Sequence, residues 1–206
     1  MIAIPFIRVN AKSYFSKAFE FTRQFFYKWT VNWRFVPEET FLSKQFSLVL
    51  LAIHVVLLLL FFKARWIAPS ARELQKQNPI ATALELILNP PNDAVQSKIS
   101  RRITPAWIIN TILSANVIGM LCARSLHYQF YSWLAWSTPL LLWQAGFHPI
   151  LQYILWAAQE YAWNVYPSTN LSSGIVVGAL FIQVVGSLLS RKSGGEEKIS
   201  KDQHID

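Results

Sequence analysis

Phe46-Ser47-Leu48-Val49-Leu50-Leu51-Ala52-Ile53-His54-Val55-Val56-Leu57-Leu58-Leu59-Leu60-Phe61-Phe62 is the stretch on which the fold turns. It is almost uninterrupted hydrocarbon over about 17 residues, close to the ~20 that a helix needs to cross a bilayer. A soluble helix of that length would carry a polar face, and this one carries only Ser47 and His54. The stretch therefore reads as a membrane span. Upstream, Val36-Pro37-Glu38-Glu39 reads as its start, because proline suits the first helical turn and the carboxylates complement the positive end of the helix dipole. That end role explains Glu38 and Glu39 without an acid/base function. His54, an ionisable group at membrane depth, is either a functional group or a neutral imidazole bonded to a neighbouring helix.

The composition of the whole chain agrees. Its 206 residues are 53% hydrophobic and only 15% charged, where a soluble domain carries about 25% charge. Nine tryptophans within a 15% aromatic share fit belts at membrane interfaces. Four more apolar runs follow the first: Ala106–Ala123, Leu134–Phe147 with Pro139 inside, Ile150–Val165 and Gly174–Leu189. The expected fold is all-α, a multispanning bundle of about five spans. Its parts are an interfacial segment over 1–45, a membrane bundle over 46–190 with a polar connection over 63–105, and a polar tail over 191–206. Within the connection, Asn78-Pro79 opens a short surface helix, Ile80 to Leu88. Asn110, Thr111, Ser114 and Asn116 in the second span are expected to join helices. The tail is too charged, and too rich in glycine and serine, to fold by itself.

A formal charge of +8 raises two partner classes, nucleic acid and anionic lipid. The basic residues lie between apolar runs and no nucleic-acid motif accompanies them, so the expected partner is membrane lipid and not nucleic acid. The lone Cys122 permits no internal disulfide. No spacing of ligand residues points to a metal, and no cofactor is expected. The positive-inside rule puts the basic connection after the first span, and the tail, in the cytosol. The segment before the first span then shares the opposite face with Arg124–Trp133. That leaves Lys28, Arg34 and other cations on the non-cytosolic side, where an anionic lipid phosphate would give them a partner.

Arg124-Ser125-Leu126-His127-Tyr128-Gln129-Phe130-Tyr131-Ser132-Trp133 separates the second and third runs. An aromatic belt accounts for its tyrosines and tryptophan. It does not account for Arg124, His127 and Gln129, and these mark the stretch as a ligand site. Nearer the N-terminus, Ser13 to Trp29 shows helical periodicity, with aromatics on one side and Lys17, Glu20, Arg23, Gln24 and Lys28 on the other. Such a helix lies either in the membrane interface or against protein. Lys28-Trp29-Thr30-Val31-Asn32-Trp33-Arg34-Phe35 then breaks the pattern by interleaving indoles, cations and an amide.

These motifs carry a resemblance. Ala18-Phe19-Glu20-Phe21-Thr22-Arg23, the Lys28–Phe35 stretch with Pro37-Glu38-Glu39, the Arg124–Trp133 stretch, and Glu160-Tyr161-Ala162-Trp163-Asn164-Val165-Tyr166-Pro167-Ser168 together resemble the endoplasmic-reticulum α-1,3-mannosyltransferases of N-glycan precursor assembly. The similarity runs from about Pro5 to Arg191. It implies the C-terminal part of a GT-C glycosyltransferase fold, multi-pass in the endoplasmic-reticulum membrane. The implied reaction moves mannose from dolichyl-phosphate-mannose to the five-mannose dolichyl-diphosphate oligosaccharide, in α-1,3 linkage on the lumenal side. Members of that family are longer, and the resemblance implies that the catalytic carboxylate lies in a lumenal loop upstream of these motifs. No residue of this chain is therefore assigned as catalytic. Inverting transfer needs a carboxylate within reach of the acceptor hydroxyl and donors for the departing phosphate. The expected substrate-binding residues are Lys28, Trp29, Asn32, Trp33, Arg34, Arg124, His127, Tyr128, Gln129 and Tyr131, while Glu38, Glu39 and Glu160 are the carboxylates near that face. The rival reading is a membrane scaffold or lipid-handling protein without activity.

Overall fold

A computed structural model describes residues 3–18, 26–66 and 103–190, with Leu88 and Asp93 singly. Seven α-helices occur among them: α1 Ile4–Ala18, α2 Glu38–Leu42, α3 Lys44–Phe61, α4 Pro105–Cys122, α5 Tyr131–Gln144, α6 Pro149–Trp163 and α7 Asn170–Leu189. The protein is all-α over the described residues and is a membrane protein. The short helix expected over Ile80–Leu88 and the tail lie outside the described residues, save for Leu88 itself.

The expected helix over Ser13–Trp29 is met over Ser13–Ala18, lies outside the described residues over 19–25, and is replaced by a 3-10 turn at Tyr27–Trp29. Helix α1 starts earlier than expected, at Ile4, and is kinked at Asn10. The helix begun at Pro37 does not run unbroken into the first span either. Ser43 takes an extended conformation (φ −68°, ψ 148°) between α2 and α3, and its hydroxyl accepts from the Phe46 amide at 3.1 Å. A serine that caps a new helix ends the old one, because the cap residue cannot itself be helical.

Among the described residues the five expected spans become three candidates. Lys44–Trp66, Pro105–Cys122 and Asn170–Leu189 are long and apolar enough to cross a membrane. Helices α5 and α6 have 14 and 15 residues, about 21–22 Å at ~1.5 Å per residue, short of the ~30 Å hydrocarbon core. They form a hairpin that leaves the face where α4 ends and returns to it. The hairpin turn still lies deep: a Cβ placed on Gly186, near the far end of α7, would stand 2.8 Å from Ala145 Cβ. Only glycine allows that approach. Because the hairpin enters and leaves on one face, the pairing of faces expected from five spans is kept. Arg65, past the end of α3, donates to Ser190 O at 2.7 Å, so the far ends of α3 and α7 share the opposite side.

The core lies between α4, α5, α6 and α7 and includes Val117, Ile118, Leu134, Leu141, Ala162, Val176 and Leu180. Helix α3 packs on α4 yet leaves Leu48, Val49, Leu51, Val55, Val56 and Leu59 outward. Such a face is satisfied by lipid or by another apolar helix. Polar side chains join helices where the second span was expected to supply them. Trp66 Nε1 donates to Ser114 Oγ at 3.0 Å, and Asn116 Nδ2 reaches Trp133 O at 3.4 Å. A triangle closes deeper in. Gln183 Nε2 donates to Gln159 Oε1 at 2.6 Å, Gln159 Nε2 to Thr138 Oγ1 at 2.8 Å, and Thr138 Oγ1 to Gln183 Oε1 at 3.2 Å. All three side chains are buried, so α5, α6 and α7 are tied at one depth. His54 is half-buried on α3.

Candidate functional site

The site is built around a loop that fills the mouth of the bundle. Thr30, Val31 and Asn32 are wholly buried, although no regular secondary structure holds them. Buried backbone needs partners, and here they come from far along the chain. The Val31 amide donates to Leu126 O at 2.8 Å, Asn32 Nδ2 donates to Ala123 O at 2.6 Å, and Asn32 Oδ1 accepts from the Leu126 amide at 2.8 Å. Asn32 thus copies a strand pairing with a side chain. Ser168 Oγ donates to Thr30 O at 2.6 Å, and the Arg34 amide donates to Ser173 Oγ at 2.7 Å. Trp33 has φ +53°, a left-handed conformation that a bulky residue holds only when its surroundings fix it. Its indole donates to Ala123 O at 3.0 Å and packs edge-on against Phe46. The Lys28–Phe35, Arg124–Trp133 and Glu160–Ser168 motifs are thereby joined on one face of the bundle.

Around this plug the expected site residues fall into two groups. The first surrounds Trp29. Lys28 Nζ lies 5.9 Å from its ring centroid, His127 Nδ1 is 3.3 Å from its carbonyl, and Tyr166 stacks on it at 6.2 Å. Tyr128 meets Tyr166 edge-on at 5.7 Å and donates to Val165 O at 2.7 Å. Burial pushes the Tyr128 phenol above its usual pKa. Three residues beyond Tyr128, the Tyr131 hydroxyl donates to Glu160 Oε2 and its ring packs on Trp163. The second group faces α3. Arg124 Nη1 donates to Ser47 Oγ at 2.8 Å, beside Trp33 and Phe46. Arg34 is folded back on Tyr27, with its guanidinium 4.2 Å from the ring centroid and Nη1 donating to Tyr27 O at 3.1 Å. Gln129 is exposed, and its carbonyl accepts from Ser132 Oγ. The sequence reading did not place Tyr27, Ser47, Ser168 and Ser173 at the site. Only Tyr27 had a local signal, standing directly before Lys28-Trp29.

Beneath Trp33 an apolar cavity of about 490 Å³ runs between α3, α4 and α7, from Cys122 and Gly174 to Leu188. Among the described residues no three histidine, cysteine, aspartate or glutamate side chains gather to hold a metal.

A family model described as "ALG3 protein" matches residues 1–173. A Neurospora crassa protein named Dol-P-Man:Man(5)GlcNAc(2)-PP-Dol alpha-1,3-mannosyltransferase is 54% identical over 187 residues, covering 90% of this chain and 42% of that protein. Relatives with the same name from Arabidopsis thaliana and Homo sapiens are 36% and 38% identical. They cover 92% and 84% of this chain, and this chain covers 43% and 37% of theirs. The chain therefore spans about two-fifths of the length of the curated relatives it matches. No solved structure matches it.

Proposed function

Because the chain belongs to the ALG3 protein family, we propose that it forms the donor-phosphate side of a dolichyl-phosphate-mannose-dependent α-1,3-mannosyltransferase. The acceptor is the five-mannose dolichyl-diphosphate oligosaccharide, and the site faces the lumen of the endoplasmic reticulum. The observation that carries this reading is the buried Thr30–Asn32 plug, which gathers three distant motifs and their cations at one mouth of a membrane bundle. Lys28 and His127 beside Trp29 are the donors best disposed to meet a phosphate, with Arg124 approaching from the α3 side. The exposed Trp29 and Tyr166 rings shield the sugar from water. Asn32 and Trp33 act on the substrate by fixing the floor beneath it. The apolar cavity under Trp33 suits the first part of the isoprenoid chain.

Charge that develops on the departing phosphate is stabilised by donors already in place, and such preorganisation is where most electrostatic catalysis lies. Deprotonation of the acceptor hydroxyl is left to a carboxylate outside this set.

A chimera tests the proposal. The region of the Neurospora crassa relative that matches this chain is replaced by this chain and expressed in cells lacking the activity. The six-mannose lipid-linked product should reappear. A chimera that reaches the membrane at normal level yet leaves the five-mannose precursor accumulating overturns the reading in favour of a scaffold. This chain expressed alone is expected to leave the precursor accumulating.

A further inference from the structure

Glu160 has surroundings that helix packing does not require. It lies in the last turn of α6, half-buried. Oε2 accepts from Tyr131 Oη across the hairpin, and Oε1 accepts from Asn164 Nδ2 at 3.2 Å. It has no cationic partner among the described residues. A carboxylate has roughly four lone-pair directions, and two of these are taken. Three residues on, Trp163 packs on Tyr131 at 5.6 Å. Its Nε1 is buried with no acceptor, in a residue only 3% exposed. That donor is closed off in the core, so Trp163 backs the patch through its ring and not through its N–H. The patch thus combines a carboxylate with free lone pairs, the Tyr131 hydroxyl and the Asn164 amide. A hinge contact between α5 and α6 would need only the Tyr131 bond, which glutamine accepts equally well.

We propose that Glu160, with Tyr131, Trp163 and Asn164, is a carbohydrate-binding site whose carboxylate accepts hydrogen bonds from neighbouring hydroxyls of a hexose. It rests on the glycosyl-transfer reading above and deepens it, since Tyr131 follows Tyr128 by three residues and Glu160 closes the helix that leads to Tyr166, whose ring meets those of Trp29 and Tyr128. The same hydroxyl chemistry is offered by the mannose of the donor and by the mannoses of the acceptor. Bonds from hydroxyls to a carboxylate are charge-assisted and stronger than neutral ones, so the acid should discriminate between sugar-bearing and sugar-free ligands.

The test is equilibrium binding to the full chain in lipid nanodiscs, with three probes: polyprenyl phosphate, polyprenyl-phosphate-mannose and the five-mannose oligosaccharide freed of lipid. Glu160→Gln keeps an acceptor for Tyr131. It should weaken a sugar-bearing probe about 10- to 100-fold and leave polyprenyl phosphate unchanged. Loss confined to polyprenyl-phosphate-mannose assigns the site to the donor sugar, and loss on the free oligosaccharide assigns it to the acceptor. Equal sugar binding by wild type and Glu160→Gln overturns the proposal, as does the absence of any sugar-dependent binding. If the wild type binds oligosaccharide through Glu160 but not polyprenyl phosphate, the phosphate site fails and the carbohydrate site stands.

Discussion

Asn32 and Arg124 stand at the same mouth and do different work. Asn32 spends its amide on two backbone groups of the 123–126 loop. Asn32→Ala leaves the buried Leu126 amide without its acceptor, at about 1–3 kcal/mol for each group stranded. The expected result is a lower melting temperature in detergent, and Asn32→Asp should rescue little: it restores the acceptor for the Leu126 amide but sets a carboxylate oxygen against Ala123 O and buries an unpaired charge. Arg124→Ala in the chimera should lower transfer about 100- to 1,000-fold if the guanidinium holds leaving-group charge. Arg124→Lys should recover part, since a planar fork becomes a point charge. Near-normal transfer with normal expression would reduce Arg124 to a tie between its loop and Ser47. Tyr128 supplies a pH signature. Its folded pKa is raised by burial, so its contribution to stability is whole below the ordinary phenol value near 10 and is lost as pH rises through the folded value. The gap in melting temperature between wild type and Tyr128→Phe should be constant below that range, where it reflects the lost bond to Val165 O, and should change only within it. The sequence made the Lys28–Phe35 stretch conspicuous through its broken periodicity. That Asn32 would turn inward was not legible, because its partners lie some 90 positions away and no local pattern encodes them.

Helix boundaries were legible where a cap or a proline announced them. Thr104 and Pro105 start α4, His148 and Pro149 start α6, and Ser43 was overlooked as a cap because the apolar run beyond it dominates the pattern. The start of α7 gives a test. Asn170-Leu171-Ser172 is a formal glycosylation sequon, yet Ser172 is 1% exposed and engaged in a reciprocal capping box with Thr169. A sequon must be extended to be modified, and this one is the first turn of a helix. Endoglycosidase treatment of the expressed chain should produce no shift in mass. Thr169→Ala removes the cap at about 1 kcal/mol and is the variant in which modification would first show. The hairpin helices were read as spans because their hydropathy is high. Their shortfall is one of length, set by the turn at Ala145-Gly146 and by the polar residues that end α6, Glu160 and Asn164.

Among the described residues, three helices long and apolar enough to cross a membrane, together with the hairpin, give the bundle two unlike faces. The motif-bearing mouth gathers the loops before α3, after α4 and after α6, and the other face holds the paired ends of α3 and α7. Cysteines placed at Ser132 and at Ser190 should therefore label from opposite sides of sealed microsomes, Ser132 from the lumen. Labelling of both from one side would overturn the arrangement. The all-helical membrane bundle was legible from hydropathy alone, whereas how many runs cross was not, since hydropathy does not measure how far a buried hairpin reaches. The Gln159–Gln183–Thr138 triangle adds a mechanical constraint. In a medium without water to replace them, its bonds give the hairpin a single vertical setting against α7. Displacement by one helical residue would break both bonds to Gln183 at once, while the Gln159–Thr138 bond travels with the hairpin, so the hairpin cannot creep. The loops at the mouth thus sit on a column of fixed height, and any change of their level must come as one discrete jump.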